Sequence, residues 1–114
     1  MALIERKDGD AFDIRIGGSV VNPGTTTLIP SLEAKGKLGN FSIHNRGANT
    51  ITVFPEYSVD DLTFFPIDDG TGTAILTTAK ETLNWAAGYR FVRLNATAAV
   101  TTNDVDSYAY VGSQ

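Results

Sequence analysis

The chain has 114 residues, 42% of them hydrophobic and 19% charged, which is enough for one packed domain and too apolar for a disordered segment. It has no cysteine and one histidine, so disulfides, thiolate metal sites and histidine-rich zinc clusters are excluded, and no cofactor is expected. The formal net charge is −4 and the nine Lys and Arg residues are scattered, without the basic footprint that displaces counterions from phosphates, so nucleic acid is not an expected partner.

The N-terminus, Met1 to Lys7, lacks the basic segment and apolar run of a secretory signal. No stretch approaches the roughly 20 apolar residues that span a bilayer, so no membrane partner is expected and the chain reads as made and kept in a cytoplasm. Residues 1–10 carry Glu5, Arg6, Lys7, Asp8 and Asp10 and read as an N-terminal arm, either frayed or reaching a neighbour, ahead of a single domain over 1–114.

From there the chain reads as strands and turns. Thr, Val, Ile and aromatic residues suit a pleated, half-buried surface, and Gly, Asn, Asp and Pro recur at short intervals between them. Asp13-Ile14-Arg15-Ile16 alternates polar and apolar until Gly17-Gly18, and Thr25 to Ile29 lies between Asn22-Pro23-Gly24 and Pro30. Ser31 to Lys35 has room for one helical turn before Gly36 and Gly39 stop it. Phe41 and Ile43, then Ile51 and Val53, keep period two on both sides of Asn45-Arg46-Gly47-Ala48-Asn49, which predicts a β-hairpin from Phe41 to Phe54.

Beyond Pro55, strands are predicted over Leu62–Ile67, Ala74–Thr78, Thr82–Trp85, Tyr89–Leu94, Ala98–Thr102 and Ser107–Val111. In the Tyr89–Leu94 strand, Tyr89, Phe91 and Arg93 share a face. Thr77 to Trp85 holds good helix formers but no cap. The whole reads as all-β, a β-sandwich or jelly roll of about eight to ten short antiparallel strands.

The chemistry-bearing residues do not assemble into a catalytic set. A triad needs a base beside a nucleophile and an orienting acid. The one base, His44, alternates with Phe41 and Ile43 and so belongs on the outer face of its strand. Asp60-Asp61 and Asp68-Asp69 raise calcium, since hard cations take six to eight oxygens. The second pair, followed by Gly70-Thr71-Gly72, lacks the alternating ligands and closing Glu of an EF-hand and reads as a solvated turn. Adjacent carboxylates also do not face one another across a cleft as glycoside hydrolysis requires. The chain is therefore expected to bind or build, and not to catalyse. Trp85, Tyr89 and Tyr57 are candidates either for a sugar-stacking platform or for core and interface packing. The residues expected at an interface are Trp85, Tyr89, Arg90 and Arg93, because aromatics and Arg dominate interface hot spots.

Three segments carry a resemblance: Phe41 to Phe54 with its Asn-Arg-Gly loop, the turn Ser58-Val59-Asp60, and Trp85 to Asn95, a Gly-led strand rich in aromatics and Arg. In these the chain resembles small β-sandwich virion proteins of tailed bacteriophages, over roughly the second two thirds of its length. The resemblance implies a capsid decoration, or cement, protein on the outer surface of the virion. Such a protein is a dimer or trimer that binds the major capsid protein and clamps the shell. The same build serves head fibres and tail-associated modules that bind carbohydrate on a host surface. No site residue is carried over by it.

Overall fold

The computed structural model describes the backbone of residues 2–8, 11–21, 24–98 and 103–112, and side chains over 24–98 and 103–112. Within them the chain is all-β: β1 Ala2–Asp8, β2 Ala11–Val21, β3 Gly24–Glu33, β4 Gly39–Asn45, β5 Ile51–Ser58, β6 Phe65–Pro66, β7 Thr73–Ile75, β8 Lys80–Trp85, β9 Phe91–Ala98 and β10 Asn103–Val111. No helix occurs among the described residues.

The strands form two sheets, one in the order β1-β2-β10-β4-β8 and the other β3-β9-β5-β6, with β7 also on β5. Every pairing is antiparallel, and four of them nest: β2 with β10, β3 with β9, β4 with β8, β5 with β7. A ribbon of β2–β5 against β7–β10, folded over so that its halves face each other, is a jelly roll. The core lies between the sheets, where Phe41 and Ile43 of β4 meet Ile51 and Val53 of β5, Val92 and Leu94 of β9, and Val105 and Ala109 of β10.

The predicted Phe41–Phe54 hairpin is corrected by this topology. Both strands exist and alternate as expected, but β4 pairs with β8 and β10 while β5 pairs with β6, β7 and β9. The segment between them is an arch from one sheet to the other. Its hub is the wholly buried Asn45, whose amide donates to the carbonyls of Asn49 (2.8 Å) and Ile75 (3.0 Å) and whose oxygen accepts from Gly47 N–H (3.0 Å). Asn103, at the start of β10, donates to Asn45 Oδ1 (2.9 Å) and to Asn49 O, and accepts from Asn49 N–H (3.1 Å). Two asparagines thus supply the backbone partners that a hairpin ladder would have supplied.

Other expectations shift in detail. Residues 2–8, within the segment read as an arm, run antiparallel to β2, from Ala2 opposite Gly17 to Asp8 opposite Ala11. Gly17-Gly18 does not end β2. The register steps from Val105 opposite Ser19 to Ser107 opposite Ile16, so the two glycines face one residue of β10 as a β-bulge. The helical turn at Ser31–Lys35 is absent. β3 continues through Pro30 to Glu33, with Pro30 in a register shift on the sheet edge, where its missing N–H breaks no ladder bond. The chain then reverses at Lys35-Gly36 (φ 55° and 76°), held by Ala34 N–H on Arg90 O at 2.7 Å.

Pro55 sits inside β5 and does not end it. Its carbonyl accepts from Ile67 N–H at 3.0 Å, so its nitrogen faces the same side, in the gap between β6 and β7. The strand expected over Leu62–Ile67 shrinks to Phe65–Pro66. The strand expected over Ala98–Thr102 lies, beyond Ala98, outside the described residues.

Candidate docking surface

Three connections meet at one end of the sandwich: residues 34–38, 59–64 and 86–90, which follow β3, β5 and β8 where Glu33, Ser58 and Trp85 end those strands. The middle one is built by a serine and an aspartate two residues apart. The buried Ser58 hydroxyl accepts from the N–H groups of Asp60 (3.2 Å) and Asp61 (2.9 Å) and donates to Asp60 Oδ1 (2.9 Å). Asp60 Oδ1 in turn accepts from Leu62 N–H (2.9 Å) and Thr63 N–H (3.0 Å). Short polar side chains that bond the backbone two or three residues on make such turns. The N–H of Thr63, then that of Leu62 and the Ser58 hydroxyl, hold the Asp60 carboxyl below its ordinary pKa. The loop tip is completed by Asp61 at φ 61°, whose carboxylate accepts the Ser31 hydroxyl across from β3.

This scaffold holds apolar side chains in water. Leu62 is 84% exposed, Val59 65% and Phe65 48%. Single exposed apolar residues are ordinary, but two on one stapled loop with a third on β6 directly after it have the character of a contact surface. The apolar feature continues inward through ring contacts, Phe65 to Tyr57 at 5.8 Å and Tyr57 to Tyr89 at 4.5 Å.

The four residues expected at an interface divide. Trp85 is only 3% exposed, its ring tilted on Phe41 at 4.8 Å and its Nε1–H donated to Lys37 O at 2.9 Å. It belongs to the core, which also removes the sugar platform of Trp85, Tyr89 and Tyr57. Tyr89 is half-buried in the ring chain, and Arg90 is exposed, its guanidinium 5.5 Å from the Phe91 ring. Arg93 lies on the outer face of β9, because Val92, Leu94, Ala96 and Ala98 fill the inner one. The face that Tyr89, Phe91 and Arg93 were expected to share is therefore, at Phe91 and Arg93, the outward one. Arg93 Nε donates to Glu56 Oε1 at 2.7 Å and its guanidinium lies 3.7 Å from the Phe64 ring centre.

Leu62 and Phe65 were missed because Leu62–Ile67 read as a strand, and Val59 because Ser58-Val59-Asp60 read only as a turn. Ser58-x-Asp60 was the signal that turned the chain instead. The acidic pairs serve turns: Asp68 Oδ1 accepts from Gly70 N–H (2.9 Å), and Asp69 Oδ1 from Thr71 N–H (3.0 Å) and its hydroxyl (2.6 Å). Those Thr71 bonds hold the Asp69 carboxyl below its ordinary pKa. Among the described residues no group of three or more His, Cys, Asp or Glu is gathered as metal ligands would be. His44 is half-buried on the outer phase of β4, as its alternation with Phe41 and Ile43 required.

No family model matches the chain, and no curated protein matches its sequence. Solved structures do match its shape. PirA, 12% identical, aligns with a TM-score of 0.60 over 92% of this chain and 96% of its own. The PBSX exported protein XepA, 9% identical, aligns at 0.71 over 90% of this chain but only 37% of its own length. A protein of the Bacillus endospore appendages, described as disulfide-linked pili, is 13% identical and aligns at 0.54 over 98% and 89%. At these identities the likeness is one of fold, and the chain is an all-β sandwich of the same two-sheet build.

Proposed function

We propose that the chain is a non-catalytic structural protein of a virion. In this reading it is a decoration protein that docks on the major capsid protein at the outer face of a phage head, as a dimer or trimer, and stabilises the shell. The observation that carries the reading is the stapled loop that keeps Val59 and Leu62 exposed, beside the exposed Phe65 of β6, at one end of a jelly roll. A clamp resists shell expansion only if it does not deform, and a contact loop already ordered in the free protein loses little entropy on docking. The sequence resemblance to phage virion proteins points the same way, and a fold shared with an exported protein and an appendage protein is compatible with it.

The test adds purified protein to heads that lack it and reads bound copies and heat resistance. Saturable binding with raised heat resistance is expected, and heads that bind nothing would overturn the proposal. Leu62→Asp should weaken docking by about 30-fold or more, since burying a leucine is worth roughly 1.5–3 kcal/mol and a carboxylate there adds a desolvation cost. At 84% exposure the substitution should leave the melting temperature of the free chain unchanged.

A further inference from the structure

The outer face of the β3-β9-β5 sheet carries a second arrangement, which touches the docking loop only through Phe64. Glu56 on β5 stands opposite Arg93 on β9, and Thr27 on β3 stands opposite Asn95. Glu56 Oε1 accepts from Arg93 Nε (2.7 Å) and from the Asn95 amide (3.2 Å), and Asn95 Oδ1 accepts from the Thr27 hydroxyl (2.9 Å). Asn95 is only 9% exposed although it points outward, so it forms the floor of the group. Phe64 covers one face of the Arg93 guanidinium, and half-buried Phe91 lies two residues before Arg93 on the same face. The other aromatic of this face, Phe54, is roofed by the Gly72 backbone. A Cβ on Gly72 would stand 2.6 Å from the Phe54 ring, and its φ of +82° also favours glycine.

The bonds between these side chains use one oxygen of Glu56 and one nitrogen of Arg93. Among the described residues no donor meets Glu56 Oε2 and no acceptor meets the two terminal amino groups of Arg93. Both side chains are partly open to water, at 31% for Arg93 and 22% for Glu56. An acceptor and a pair of donors are thus fixed side by side, on the strand face that also carries Phe91, whose ring has the Arg90 guanidinium 5.5 Å away. Their charges cancel, so an anion would meet the Glu56 carboxylate and a cation the Arg93 guanidinium. A neutral vicinal diol fits both: one hydroxyl donates to Oε2, its neighbour accepts from an Arg93 amino group, and the C–H face of the ring packs on Phe91.

We propose that this face is a binding site for a neutral saccharide, contacted by Glu56, Arg93 and Phe91 over the Asn95 floor. Because the groups are already held by one another, a sugar would order little on binding.

The test is a glycan array probed with the full chain, followed by solution NMR titration of the best neutral oligosaccharide. Saturable binding to a neutral glycan is expected. Glu56→Gln and Arg93→Lys, which keep most of the packing, should each weaken it at least tenfold with little change in melting temperature, and Leu62→Asp should leave it unchanged. The proposal is overturned if no neutral glycan binds, if only sialylated or sulfated glycans bind, or if Glu56→Gln and Arg93→Lys bind as well as the wild type. Leu62→Asp reads the docking loop and Glu56→Gln the sheet face beside it, so either proposal can fail without the other.

Discussion

Asn45→Ala is expected to destabilise the fold by about 3–5 kcal/mol, a large share of the 5–15 kcal/mol that holds a typical domain together. The loss has identifiable parts. The Ile75 carbonyl loses its Asn45 donor, Gly47 N–H loses its acceptor, and one N–H of the Asn103 amide is left facing no partner in a buried site. The Asn49 carbonyl keeps Asn103 and suffers least. Each buried group left unpaired costs roughly 1–3 kcal/mol, and these lie in one network, so the losses do not simply add. A fall in melting temperature of about 10–20 °C should follow, read by circular dichroism against His44→Ala, its half-exposed neighbour, which should move little. A loss below about 1 kcal/mol would show that the arch between the sheets is held by something other than its asparagines.

Gly39→Ala is the second large effect, and its cause is steric. Gly39 lies opposite Val111 on one side and Trp85 on the other, and the Trp85 ring closes over it. A Cβ there would stand 2.2 Å from the backbone oxygen of Tyr110 and 2.3 Å from Trp85 Cζ2. The tryptophan could swing away only by giving up its bond to Lys37 O and its packing on Phe41. The Tyr110 oxygen belongs to a paired strand and moves only with it. Overpacking of this kind costs typically 1–3 kcal/mol, and a clash with backbone puts Gly39→Ala at about 3 kcal/mol or more. Gly39→Ala combined with Trp85→Ala should recover none of the stability, because the Tyr110 contact stays and a core ring is lost. Urea denaturation decides it, and a Gly39→Ala midpoint equal to that of the wild type would contradict the packing described here.

Most strands were legible in the sequence, though β1 read as an arm and β6 as a longer strand, but their partners were not. Period-two alternation at Phe41, Ile43, Ile51 and Val53 reports which face is buried, and it is equally satisfied by a hairpin or by an arch between facing sheets. What separates the two is the side chain of Asn45, whose partners at Ile75 and Asn103 lie 30 and 58 residues away. Contacts of that range leave no local pattern. The docking loop was concealed for the opposite reason. Leu62 to Ile67 has the composition of a strand, and the local bonds of Ser58 and Asp60 overrode it. Trp85 has the residue type of a hot spot but lies opposite Gly39, where the missing side chain lets its ring close over the backbone. Arg93 was expected at an interface; the structure places it on the outer face of β9, bonded to Glu56, a partner set by strand register that only the fold supplies.

The claim on which the functional account rests is that this protein meets its partner through the loop after β5. Side-chain footprinting by hydroxyl radicals, on the free chain and on heads decorated with it, tests that claim directly. The account predicts strong protection of Val59, Leu62 and Phe65 on the heads and unchanged labelling of Leu76, which is 63% exposed at the opposite end of the sandwich. Protection of Leu76 with Val59, Leu62 and Phe65 labelled as in the free chain would contradict it.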